Sequence, residues 1–216
     1  MGKSAGSVFI IGGADGPTSI FLAGKGGKLK LTTRIQDYFR KIKRNRIKKR
    51  IIVNPHTLEE VVQWLEQEYG AVEVSKQSHN YLEQRNSLKA SLIMHHRPDL
   101  LGELMNLEPP EREDVEALKV FLEQIQERDR KAEEIADDIF PMDFHIYEIK
   151  WAENDRMWIG VETVWQVLDV SFSGDKKAMK QLRKLFKKIY LYYGVTAEDI
   201  KNETERYKSL LGVLCL

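Results

Sequence analysis

Residues 57–70 read Thr57-Leu58-Glu59-Glu60-Val61-Val62-Gln63-Trp64-Leu65-Glu66-Gln67-Glu68-Tyr69-Gly70. Thr57 with Glu60 three positions later is a capping box, in which each residue satisfies an amide that the first helical turn leaves without a partner. Leu58, Val61, Val62 and Leu65, with Trp64 at the margin, recur at spacings of three and four and so share one helical face. Gly70 supplies the left-handed stop. The same grammar repeats outward along the chain. Ser78 opens a helix to about His96, and the acidic run Glu111–Asp114 opens another to about Ile139, where Pro141 stops it. Asp175 or Ser173 caps a basic helix that runs to Tyr193 and ends at Gly194, and Thr196 opens a last helix. These signals predict a mostly helical body.

Strand signals are shorter. Ile51–Val53 and Val72–Val74 flank the first of these helices and are expected to pair with each other. Phe144–Ile149 alternates weakly and reads as a strand or an extended brace. Val161–Leu168 reads as helical. Trp151, Trp158 and Trp165 fall at seven-residue intervals, which at helical pitch puts them on one face for core packing. At the N-terminus, Val8–Ile11 and Ile20–Ala23 bracket an Asp-Gly turn signal. They are expected to form two short buried strands, with a strand, turn and short helix as the alternative. The expected fold class is α+β, a mostly helical body with a short N-terminal β-hairpin or small sheet. The expected domains are a Gly-rich element over 1–28 and a compact, mostly helical domain over 29–216.

Composition narrows the function. The 216 residues carry 34 Lys plus Arg against 33 Asp plus Glu, a net charge of +1, so no global field selects a polyanionic partner. A mean hydropathy of −0.44 excludes a polytopic membrane protein. Cys215 is the single cysteine, which excludes an intrachain disulfide and a cysteine metal cluster. The apolar N-terminal run is broken by Gly12-Gly13-Ala14-Asp15-Gly16-Pro17, which is a poor centre for a signal peptide or a spanning helix. A cytoplasmic protein with no transmembrane span is expected.

The segment Ser7–Ala23, SVFIIGGADGPTSIFLA, resembles a signature of the β subunit of the sodium-ion-translocating decarboxylases, which act on oxaloacetate, methylmalonyl-CoA or glutaconyl-CoA. The resemblance covers about 17 of the 216 residues and implies that Asp15 serves sodium binding, with Gly12, Gly13, Gly16, Pro17 and Thr18 shaping the loop. Local chemistry is compatible with it. A hard cation takes oxygen ligands, which Asp15, Thr18, Ser19 and backbone carbonyls offer. The chain departs from that family in having no other segment that could span a bilayer. The competing reading is a tight turn built from Asp, Gly and Pro.

A second lead is the basic tract 28–50, with eleven Lys or Arg and Asp37 as its one acid. Arg40, Lys41, Lys43, Arg44, Arg46, Lys48, Lys49 and Arg50 concentrate positive charge, and Tyr38 and Phe39 stand near enough to stack on a base. The alternative is a solvated face answering the twelve acids between 108 and 138. Lys176, Lys177, Lys180, Arg183, Lys184, Lys187 and Lys188 make a second basic face with the same two readings. Gly24-Lys25 lacks P-loop spacing, and Gly12–Gly16 lacks the dinucleotide fingerprint. His95 and His96 are adjacent on a helix, point about 100° apart and do not chelate together. No catalytic residue and no metal site is expected.

The leading expectation is a non-catalytic binding protein whose N-terminal loop takes a small ion, sodium, or a carboxylate. The alternatives are a nucleic-acid-binding or regulatory protein acting through residues 28–50, and an accessory of a membrane decarboxylase complex. Candidate partners are accordingly a small ion or carboxylate, a nucleic acid, or a protein.

Overall fold

The computed structural model describes residues 31–107, Pro110 and residues 115–216. Among these described residues seven α-helices appear in chain order: α1 Leu31–Lys48, α2 Leu58–Tyr69, α3 His79–His96, α4 Val115–Glu134, α5 Lys176–Tyr193, α6 Ala197–Asn202 and α7 Glu205–Cys215. Four strands, β1 Val72–Glu73, β2 Phe144–Lys150, β3 Arg156–Glu162 and β4 Val167–Ser173, form one sheet in the order β1-β2-β3-β4. β1 runs antiparallel to β2, with Val72 opposite Glu148 and Glu73 opposite Tyr147. No helix among the described residues is long and apolar enough to cross a membrane.

This corrects the expected fold class. The sheet lies in the C-terminal region, no N-terminal hairpin is supported, and the expected strands at 8–11 and 20–23 fall outside the described residues. Ile51–Val53 is not a strand. Ile52 is 76 % exposed, and Val72–Glu73 pairs with β2 instead. Val161–Leu168 is not helical but is the end of β3, a turn and the start of β4. The turn is closed by Gln166 at φ 55°, a conformation its apolar neighbours do not announce. Trp151, Trp158 and Trp165 therefore lie in a loop, a strand and a turn rather than on one helical face.

Helix ends follow the expected chemistry. Thr57 and Glu60 form the capping box of α2, and Gly70 takes φ 63° behind it. Ser78 caps α3, Asp175 caps α5, and Thr196 with Asp199 closes a second capping box on α6.

The chain divides into two compact units. One holds the described residues up to Ala71, Ile149–Trp158 and Asp169–Leu216. Here α7 packs on α1, α5 and α6, while α2 packs on α5. Leu182, Leu185, Phe186, Ile189, Tyr190 and Tyr193 of α5 are buried together with Leu58, Val61 and Leu65 of α2. Trp64 and His56 stack on Tyr192 at 4.5 and 4.0 Å. Arg206 ties the unit's turns together. It donates to Gly194 O at 2.8 Å, His56 O at 2.8 Å and Tyr193 O, and lies 3.7 Å above the Tyr193 ring.

The other unit holds Val72–Glu148 and Ile159–Leu168. Its core joins Ala90, Leu92, Ile93, Leu101, Ala132 and Phe140, with Trp165 stacked on Phe140 at 4.8 Å. Lys89, almost wholly buried, donates to Glu133 O at 3.2 Å and to Ile135 O, so its ammonium caps the C-terminal end of α4. Ala132 is the one fully buried residue among those of α4, while its apolar residues Val115, Leu118 and Leu122 are exposed.

Asp169 of β4 gives a pH test of the first unit. Burial pushes its carboxyl up to about 6 from 3.8, against an opposing hydrogen bond from the Val170 backbone. A folded pKa raised above the unfolded one contributes stability that is complete below pH 3.8 and is lost as pH rises through about 6. Asp169→Asn is therefore expected to raise stability at pH 7.5 by about 1–2 kcal/mol, allowing for a partly exposed side chain, and to change nothing below about pH 3.5. Urea denaturation of both proteins at the two pH values measures the difference. An equal effect at both would remove the titration as its cause.

Candidate nucleic-acid interface

α5 is amphipathic in an unusual way. Asp175 accepts hydrogen bonds from the Lys177 and Ala178 amides at 2.8 Å each, and these bonds hold the Asp175 carboxyl below its usual range. From that cap the helix runs for 18 residues without an acid. Its buried arc is Ala178, Leu182, Leu185, Phe186, Ile189, Tyr190 and Tyr193. The opposite arc carries Lys176, Lys177, Lys180, Arg183, Lys184, Lys187 and Lys188, of which Lys187 alone is half-buried and the rest are exposed. These seven cations extend for about 18 Å along the axis. None of their side chains forms an ion pair or donates a hydrogen bond among the described residues.

This arrangement works against the helix that carries it. Lys176 and Lys177 stand in the first turn, where the macrodipole favours acids. The pairs 176/180, 180/184, 183/187 and 184/188 are like charges at i,i+4, each costing about 0.2–0.5 kcal/mol in water. Folding alone does not call for such a face.

The expected basic tract is placed differently. Lys43 donates to Cys215 O at 2.5 Å. Lys48 pairs with Glu203 at 2.7 Å and lies 5.9 Å above the Tyr207 ring. These two cations are engaged in holding α1 to the C-terminal part of the same unit. Lys41, Arg44, Arg46, Lys49 and Arg50 are exposed. Lys43 is also solvent-exposed, and the side chain of Arg40 lies outside the described residues. Three acids of α4 pair locally: Glu116 with Lys119, Asp129 with Arg128, and Glu134 with Arg130. Arg50 and Asn54 border a cleft of about 360 Å³ lined by Ile47, Ile51, Leu191, Leu210 and Leu214.

The expected ion-binding residues Gly12, Gly13, Asp15, Gly16, Thr18 and Ser19 lie outside the described residues. Among the described residues no group of three or more His, Cys, Asp or Glu could hold a metal ion. His145, passed over in the sequence, is the centre of a polar clasp. Its Nδ1 meets Glu73 at 2.6 Å and its Nε2 meets Asp143 at 2.9 Å. The two carboxylates stand on opposite sides of the ring, so they do not converge on one ion. Thr163 donates to Asp143 at 2.7 Å, and that bond, followed by the one with His145, holds the Asp143 carboxyl below its usual range. Glu162, fully buried, accepts from the amides of Asp143, Val164 and Trp165, and burial raises its pKa. His96 packs 4.5 Å from Trp165, and burial lowers its pKa. These groups brace the turn that closes the sheet.

No protein-family model, curated protein sequence or solved structure matches this chain.

Proposed function

We propose that this protein is a nucleic-acid-binding protein whose principal contact is the outer face of α5. The observation that carries the reading is the set of seven cations on one helical face, without an acid among them and, among the described residues, without a side-chain ion pair or hydrogen bond. With a near-neutral chain, positive charge held on one face gives a local footprint rather than a general affinity for anions. The exposed cations of α1, in the same compact unit, supplement it. The expected binding role of residues 28–50 thus becomes secondary in this reading.

Titration of a fluorescent single-stranded RNA with the full chain, by anisotropy across a salt series, tests it. Binding at low salt should weaken on raising salt with a log–log slope of about 3, that is, four to five phosphates at roughly 0.7 per contact on a single strand. Absence of binding at low salt would overturn the reading. So would a slope under about 1, since fewer than two phosphate contacts cannot engage such a face.

A further inference from the structure

Trp151 stands in the short loop between β2 and β3, inside the same compact unit as α5. The loop is closed by Trp151 N and Ala152 N, which donate to Asp155 O at 2.8 and 3.2 Å. Asp155 in turn accepts from the amide of Asp175 at 2.8 Å, which joins the loop to the start of α5. The indole Nε1 donates to Gln181 Oε1 at 3.0 Å. Gln181 follows Lys177 by four residues and precedes Lys184 and Lys188 by three and seven, so on a helix all four form one row. The indole is therefore pinned, by its polar edge, to the flank of the lysine face. Even so it is 39 % exposed, and among the described residues its ring stacks on no other aromatic ring. Lys150, exposed, precedes it. Glu153 of the loop is exposed as well, while Asp155 and Asp175 are engaged by backbone amides at the first turn of α5.

A fully buried tryptophan contributes through apolar area, whereas Trp151, held by its polar edge and 39 % exposed, leaves part of its ring open to solvent. Such a ring beside a row of cations is what an unpaired base needs. The phosphates take the lysines, and the base takes the π-face, without regard to its identity. A base in a duplex is already stacked on its neighbours and has no free face to offer. We infer that Trp151 is a stacking platform for an unpaired base, which makes the α5 face a site for single-stranded rather than duplex nucleic acid. This inference rests on the nucleic-acid reading of α5.

The test compares wild type, Trp151→Ala and Trp151→Phe on a single-stranded oligonucleotide and on a blunt duplex of the same sequence, each across a salt series, with circular dichroism confirming the fold. Trp151→Ala should weaken single-strand binding by about tenfold, the effect of one lost stacked base, and leave the duplex affinity and the salt slope unchanged. Trp151→Phe should retain most of the single-strand affinity but lose the tryptophan quenching that single-strand binding produces in the wild type. The inference is overturned, with the nucleic-acid reading intact, if Trp151→Ala binds the single strand as wild type does, or loses single strand and duplex equally. It is also overturned if Trp151→Phe shows wild-type quenching, an outcome that serves even where the alanine variant fails to fold. Failure of the wild type to bind either form overturns both.

Discussion

Gly194→Ala is expected to destabilise the protein by at least about 3 kcal/mol, the scale of a residue forced into a glycine-only conformation with an added steric conflict. Gly194 ends α5 at φ 60° and ψ −159°, a region that side-chain-bearing residues essentially do not enter. A β-carbon there would meet Asn54 O at 1.9 Å and its carbonyl carbon at 2.8 Å. Both are backbone atoms, so no rotamer change relieves the clash. Moving them would strain the bonds Asn54 N to Val195 O and His56 N to Tyr193 O, at 3.2 and 3.0 Å. It would also disturb the Arg206 contacts with Gly194, His56 and Tyr193. Gly70→Ala is the control. It shares a positive φ, 63°, but a β-carbon there meets nothing within 4 Å. Its cost should be the ordinary left-handed penalty of about 1–2 kcal/mol. Urea denaturation of the three proteins decides the matter, and equal losses in the two variants would remove the close approach of Asn54 from the account.

The helices were legible because their ends are chemical. Thr57 with Glu60, Ser78, Asp175 and Thr196 are residues whose side chains replace missing backbone partners, and Gly70 and Gly194 adopt conformations that other residues avoid. The sheet was not legible in the same way. Val161, Val164, Trp165 and Leu168 fall at spacings that mimic a helical face, yet Gln166 at φ 55° turns the chain between two strands. Ile51–Val53 carries the β-branched composition of a strand, but composition does not supply a neighbouring strand, and the segment stays unpaired and largely exposed.

The candidate site divides along the same line. The cations of α5 and their period were visible in the sequence, because a single helix fixes which of its residues share a face. That they form no ion pair among the described residues was not visible, since ion pairs form between distant segments, as Lys48 and Glu203 do. Trp151 was read as a core residue on a helical face. Its placement depends on a hydrogen bond to a residue 30 positions away, which no local spacing encodes. The same holds for His145, whose partner Glu73 is 72 residues distant.

Removing charge from α5 should have two opposite consequences, and their combination is the second large effect. In Lys177→Gln, Lys180→Gln, Lys184→Gln, Lys188→Gln the helix loses three like-charge i,i+4 pairs and a lysine from its first turn, each worth a few tenths of a kcal/mol or about that. Folding stability should therefore hold or rise slightly. Affinity for nucleic acid should fall by at least about 100-fold near 50 mM salt, because four phosphate contacts and their released counterions disappear together. The equivalent change in α1, Lys41→Gln, Arg44→Gln, Arg46→Gln, Lys49→Gln, should cost distinctly less, since those cations supplement the α5 face. The most direct measurement is the salt slope of single-stranded RNA binding, determined side by side for the wild type and the α5 variant. The account predicts that the slope falls by about 2.8, four contacts at roughly 0.7 each, in a protein that remains folded. A folded α5 variant that keeps both the wild-type affinity and the wild-type slope would contradict it.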